Sequence, residues 1–191
     1  MIGLFSYWRK QQLLEAYTRG RIFSPGDSVL DIGCGNGAMG KAIADTFRVK
    51  VEGADVINML TEDLPFHALP QSWEKWQGRY FDEAMLNDAL HHMTPDTQRA
   101  TLGQALRVGR KVLIFETRPT LLAKFLDVVM AYIVYRGRET VTLTHRAPEE
   151  WSEILKELGC RVNIYDLTRP FFFYPLRHFI LIVEHQSNVE R

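Results

Sequence analysis

The chain has little cysteine, no net charge and no long apolar run. Its two cysteines, Cys34 and Cys160, stand far apart in 191 residues and lack the close spacing of metal ligands. There is no disulfide framework to read, so a reduced, cytoplasmic protein without a bound metal is the expectation. Lys plus Arg and Asp plus Glu number 23 each, so no charge excess marks the chain as a tracker of nucleic-acid backbone. No uncharged apolar stretch reaches the ~18 residues that a membrane-spanning helix needs. The most apolar window, Leu121–Tyr135, holds Lys124 and Asp127. Near the N-terminus, Arg9 and Lys10 come too early for the apolar region of a signal peptide. Internal repeats, low-complexity tracts and linkers are also missing, and residues 1–191 read as a single domain.

Strands and helices alternate in the pattern. Apolar positions Leu4, Tyr7, Trp8, Leu14 and Tyr17 suggest a leading amphipathic helix. Strands are expected at Val29–Ile32, Lys50–Asp55, Phe66–Leu69, Phe81–Asn87 and Lys111–Glu116. Thr94-Pro95-Asp96 opens a helix with an N-cap, a proline at the first position and an early acid, and Gly109 stops it. Pro148 begins another helix, which Gly159 ends. The last two strands, Arg161–Asp166 and Phe179–Glu184, have no helix between them and should pair antiparallel. The expected fold is therefore α/β: a doubly wound, mostly parallel seven-stranded sheet with helices on both faces and an antiparallel C-terminal hairpin.

The stretch Val29-Leu30-Asp31-Ile32-Gly33-Cys34-Gly35-Asn36-Gly37 organises the rest. A buried strand, a glycine turn and a helix bring backbone N–H groups up to a ligand. The glycines also satisfy the dinucleotide pattern, so the acid before them has to discriminate. Asp31 would face a bound pyrophosphate, and two like charges ~4 Å apart repel by about 4 kcal/mol at an effective dielectric of ~20. A ligand presenting an ammonium group would instead be attracted. S-adenosylmethionine meets that demand: ammonium to Asp31, carboxylate to the loop N–H groups, and ribose diol to Asp55 at the end of the second strand. Val56, next in the chain, would lie against the adenine.

These residues resemble the signature loop of the class I S-adenosylmethionine-dependent methyltransferases. The likeness continues through Val51-Glu52-Gly53-Ala54-Asp55-Val56 and through Phe81 to His92, which is similar to the fourth-strand segment of the small-molecule methyltransferases. The resemblance implies that Asp31, Gly33 and Gly35 hold the methionine end, with contacts from Cys34 and Asn36. It implies further that Asp55 takes the ribose and that Asn87 lies near the sulfonium. After the third strand, where the family commonly has an acid beside the adenine amino group, this chain offers Gln71 or Asp63.

On the acceptor side, His91 and His92 follow the fourth strand, where a neutral imidazole can take a proton from a hydroxyl or amine. One histidine packed under the next helix and one in solvent is the alternative. Glu116 ends the fifth strand at the same cleft, with a helix-capping or solvent-facing acid as an equal alternative; His145 could line an acceptor pocket, but an ordinary surface histidine is the preferred reading. Leu121–Tyr135 reads as a lid or partly buried helix, with membrane-surface contact a further option, and the aromatic run Phe171–Tyr174 would pack beneath it or expose an edge. The function expected from this reading is methyl transfer to a small, apolar acceptor by in-line displacement. The alternatives are a non-catalytic S-adenosylmethionine-binding module that regulates or scaffolds a partner, and a protein methyltransferase. Nucleic-acid methylation is disfavoured, because Asn87-Asp88-Ala89-Leu90 lacks the Pro-Pro-aromatic signature of amino-methylating enzymes.

Overall fold

The computed structural model describes residues 2–76, 78, 80–135, 143–169, 174 and 176–185. The elements run α1 (Ile2–Gly20), β1 (Ser28–Ile32), α2 (Ala38–Phe47), β2 (Lys50–Asp55), β3 (Phe66–Ala68), β4 (Phe81–Asn87), α3 (Pro95–Val108), β5 (Gly109–Thr117), α4 (Leu121–Tyr135), α5 (Pro148–Glu157), β6 (Cys160–Asp166) and β7 (His178–His185). The strands form one seven-stranded sheet in the order β3-β2-β1-β4-β5-β7-β6. β1 through β5 pair in parallel, whereas β7 runs antiparallel to both β5 and β6.

Side chains alternate across each strand, so the continuous apolar runs of the central strands feed two cores. On β5, Val112 and Ile114 join Leu30, Ile32, Leu86, Leu102, Trp151 and Leu155 on the face covered by α3 and α5. Leu113 and Phe115 join Leu13, Tyr17, Val29, Ile43 and Met85 on the face covered by α1 and α2. The start of α3 is as expected: the Thr94 hydroxyl accepts the Thr97 N–H at 3.3 Å, with proline at the first position. The link from β2 to β3 is too short for a crossover helix and folds over the glycine loop instead, where the Thr61 N–H donates to the Asn36 carbonyl at 3.0 Å.

Two expectations change in detail. In α1 the buried stripe is Leu13 and Tyr17, both 0 % exposed, while Tyr7 is half exposed. Tyr17 belongs to the expected set; Leu13 joins it in the core, and the expected Leu14 is only partly buried. α4 forms where expected, but α5 packs against β6 and β7, and α4 presents Leu121, Phe125 and Val128 to solvent while Ala123 is buried. Phe171, Phe172 and Phe173 lie outside the described residues; Tyr174, the last of that run, is buried.

Candidate functional site

The parallel register brings the C-terminal ends of β1, β2, β4 and β5 to one edge, and with them Asp31, Asp55, Asn87 and Glu116. β1 turns at Gly33, whose φ is +74° and whose missing Cβ would lie 2.6 Å from the Ala89 Cβ. Both the backbone angle and the gap forbid a side chain there. Gly33→Ala should therefore displace the turn after β4 as well as the loop. It is expected to cost about 1–3 kcal/mol of stability and to weaken donor binding, read by thermal melts with and without S-adenosylmethionine.

Asp31 is 1 % exposed, and its Oδ1 accepts from the Asn87 amide at 3.3 Å. Burial pushes its carboxyl up to about 7, the Asn87 hydrogen bond opposes that, and Asp55 adds to it. No cation pairs with Asp31 among the described residues. Beside it are two buried polar atoms without a partner, the Asn87 Oδ1 and the Tyr17 hydroxyl. Burial and the nearby Asp31 charge both push the Tyr17 phenol upward. Unmet acceptors around an unpaired carboxylate match an incoming ammonium group. Sequence reasoning used Tyr17 only as a core residue, and nothing in the pattern singled out its hydroxyl.

Asp55 is held at both oxygens, by the Gly35 N–H at 3.0 Å and the Val56 N–H at 2.7 Å. That fixes the carboxylate plane at the end of β2. Val56 is 71 % exposed and open to an aromatic base. Asn36 turns its side chain back to accept the Ala38 N–H at 3.2 Å, so it shapes the start of α2. Cys34 is buried, and its thiol is pushed up to about 12 by burial and by Asp31 and Asp55, which leaves it protonated and inert. Gln71 begins a short 3-10 turn (Gln71–Lys75), and both Gln71 and Asp63 are exposed.

The two histidines after β4 divide. His91 is 4 % exposed, whereas His92 is exposed with its ring centroid 4.1 Å from that of His91. Glu116, 2 % exposed, accepts from the Leu90 N–H at 2.8 Å with one oxygen and meets His91 Nδ1 at 2.6 Å with the other. The His145 ring stacks on that of His91 with centroids 4.9 Å apart. Residues near His145 are strapped to this turn: the Thr144 N–H donates to the His91 carbonyl at 2.8 Å, and the Gln98 amide bridges the Leu90 and Thr144 carbonyls. Arg146 in turn donates to Gln98 Oε1 at 3.0 Å.

Asp88 lies between the two halves, in the left-handed region at φ +49°. Its carboxylate meets Arg9 of α1 at 2.8 Å and the Thr117 hydroxyl at 3.4 Å; Thr117 is also 3.1 Å from His178, which contacts the Tyr174 hydroxyl. Burial works to raise the Asp88 carboxyl, but Arg9, His178, His91 and His92 together hold it below the usual range. Donor atoms of Asp88, His91 and Glu116 fall within 4.8 Å of one another, a span a divalent cation could bridge. Each is already engaged by a charged or ionisable neighbour, however: Asp88 by Arg9, and His91 and Glu116 by each other.

Comparison with known proteins agrees with this architecture. The family model described as methionine biosynthesis protein MetW matches residues 16–154. Phosphoethanolamine N-methyltransferase 2 of Caenorhabditis elegans is 35% identical over 106 residues, which cover 48% of this chain and 24% of that protein. This chain thus spans about a quarter of that relative. An S-adenosylmethionine-dependent methyltransferase of Archaeoglobus fulgidus superposes with a TM-score of 0.68 at 15% identity, covering 95% of this chain and 98% of the other. A magnesium protoporphyrin IX methyltransferase of Synechocystis with bound SAH gives 0.65 at 15% identity, over 95% and 84% of the two chains. At such identities the likeness speaks for the fold.

Proposed function

Because the chain belongs to the methionine biosynthesis protein MetW family, and its sheet has the strand order of the class I methyltransferases, we propose that it transfers a methyl group from S-adenosylmethionine to a small, apolar acceptor by in-line displacement. The observation that carries this reading is Asp31: a buried carboxylate with no paired cation among the described residues, two residues ahead of a glycine turn and one strand from the anchored Asp55. Bound S-adenosylmethionine supplies an electrophilic methyl group on sulfur. Asp31 and Asn87 hold the amino-acid end, with Gly33, Cys34, Gly35 and Asn36 lining it, and Asp55 and Val56 take the nucleoside end. At the acceptor end, His91 takes the acceptor's proton with Glu116 behind it, and exposed His92 borders the approach. A dedicated base is one contribution; alignment of the acceptor with the sulfonium is the other.

Incubation with donor labelled in its methyl group and an extract of small molecules tests the proposal. One labelled apolar product is expected. Label confined to protein, or donor binding with no labelled product at all, would favour the alternative readings.

A further inference from the structure

We infer that the outward face of α4 docks on an anionic lipid bilayer. Leu121, Leu122, Phe125, Val128 and Val129 are 90%, 47%, 63%, 56% and 38% exposed. At 100° per residue these five fall in one continuous stripe, directly opposite the buried Ala123. Apolar side chains gathered in one exposed stripe are a contact surface, unlike the scattered apolar residues of an ordinary exterior. No described helix is long and apolar enough to cross a membrane, so the geometry is that of a helix lying in the interface.

The charges around the stripe choose the occupant. The sequence just before α4 carries Arg118, and the fold brings two further arginines to it. A depression of about 690 Å³ there is lined by Arg118, Arg169 and Arg177. Asp166 and Glu149 are both engaged with Arg118, so the three arginines and two acids leave one positive charge in excess. The Arg118 N–H donates to the Arg177 carbonyl at 2.7 Å, and Thr120 caps the helix at Ala123, so the arginines and the stripe share one framework. A second copy of this chain would, by two-fold symmetry, meet the patch with the same cationic rim. A bilayer offers hydrocarbon to the stripe and negative headgroups to the arginines. The docking stands independently of methyl transfer; its consequence, that the apolar acceptor is drawn from the lipid phase, rests on that reading.

Flotation with vesicles tests it, using the full chain with no donor added. With equal parts phosphatidylcholine and phosphatidylglycerol the protein should float, and with phosphatidylcholine alone it should float about tenfold less. L121E/F125E should lose flotation on both vesicles, and R169Q/R177Q should lose only the preference for the anionic ones. Raised salt should weaken binding of the unaltered chain. Because all four positions are exposed, donor calorimetry should give one affinity for all three proteins; this separates failed docking from failed donor binding. No flotation, or equal flotation of the unaltered chain and L121E/F125E, overturns the inference. So does a dimer in solution that L121E/F125E dissociates, which assigns the stripe to a second copy.

Discussion

Asp31→Asn should cost roughly 10²–10³-fold in affinity for S-adenosylmethionine and at the same time make the donor-free protein more heat-stable above pH 7. The two effects have one origin. Asp31 is buried and pairs with no cation among the described residues, and its carboxyl is pushed up to about 7 from an ordinary 3.8. A group whose folded-state pKa is raised gives stability that is present below the unfolded value and lost as the pH rises through the folded one. Between pH ~4 and ~7 the unfolded chain sheds the Asp31 proton while the folded chain keeps it, so donor-free stability falls over that window. The loss is at most about 4 kcal/mol, and an asparagine does not incur it. Glu83, buried in β4 and also pushed up to about 7, has the same sign, so the fall in the variant is reduced and not abolished. Removing one partner of a desolvated charge pair costs about 2–5 kcal/mol of binding, the source of the expected affinity loss.

The same carboxyl makes donor affinity depend on pH. An ammonium group binds the ionised form, so affinity of the unaltered protein should rise up to tenfold per pH unit below about 7 and level off above it. In Asp31→Asn the slope should vanish. Calorimetry across pH and thermal melts at pH 5 and 8 check both halves. Undiminished donor affinity in the variant would sink the assignment of Asp31.

The proposed donor half of the site could be read from the sequence because its signals are local. A strand, a glycine turn and a helix occupy consecutive residues, and Asp55 follows at one crossover's distance. The sheet was equally readable: the strand patterns at Phe81–Asn87 and Lys111–Glu116 fall inside or on β4 and β5, though β5 also takes in Gly109, which the pattern reads as a helix stop. The acceptor half depends on partners far apart in sequence. Glu116 and His91 are 25 residues apart, and Thr117 and His178 are 61 apart. Which of His91 and His92 is buried depends on the half-turn after β4, and that turn follows from the left-handed Asp88, an angle no periodicity encodes. α4 was ambiguous for another reason: a helix apolar on nearly every side has no preferred inner face until its neighbours are placed. α5 takes the place on β6 and β7, and α4 is left outward.

Glu116→Gln should lower the methyl-transfer rate by roughly 10²–10⁴-fold while donor affinity stays as it was. The substitution is chosen for what it keeps. A glutamine carbonyl still accepts the Leu90 N–H, now 2.8 Å from Oε1, so the turn that carries His91 retains its anchor. What it loses is the negative charge 2.6 Å from His91 Nδ1. A carboxylate there holds the proton on Nδ1 and leaves the other ring nitrogen as the base; an amide N–H₂ at the same place favours the opposite tautomer. Loss of the charge also lowers the basicity of the imidazole, because an adjacent anion stabilises the protonated ring. The acid limb of the rate profile should therefore move to lower pH as the plateau falls. A merely structural glutamate would not shift that limb. His91→Ala should give a similar loss of rate without a limb to shift, and His92→Ala, at the exposed ring, a much smaller one. If Glu116→Gln and His91→Ala both turn over like the unaltered enzyme, no base is used and in-line alignment of the acceptor suffices.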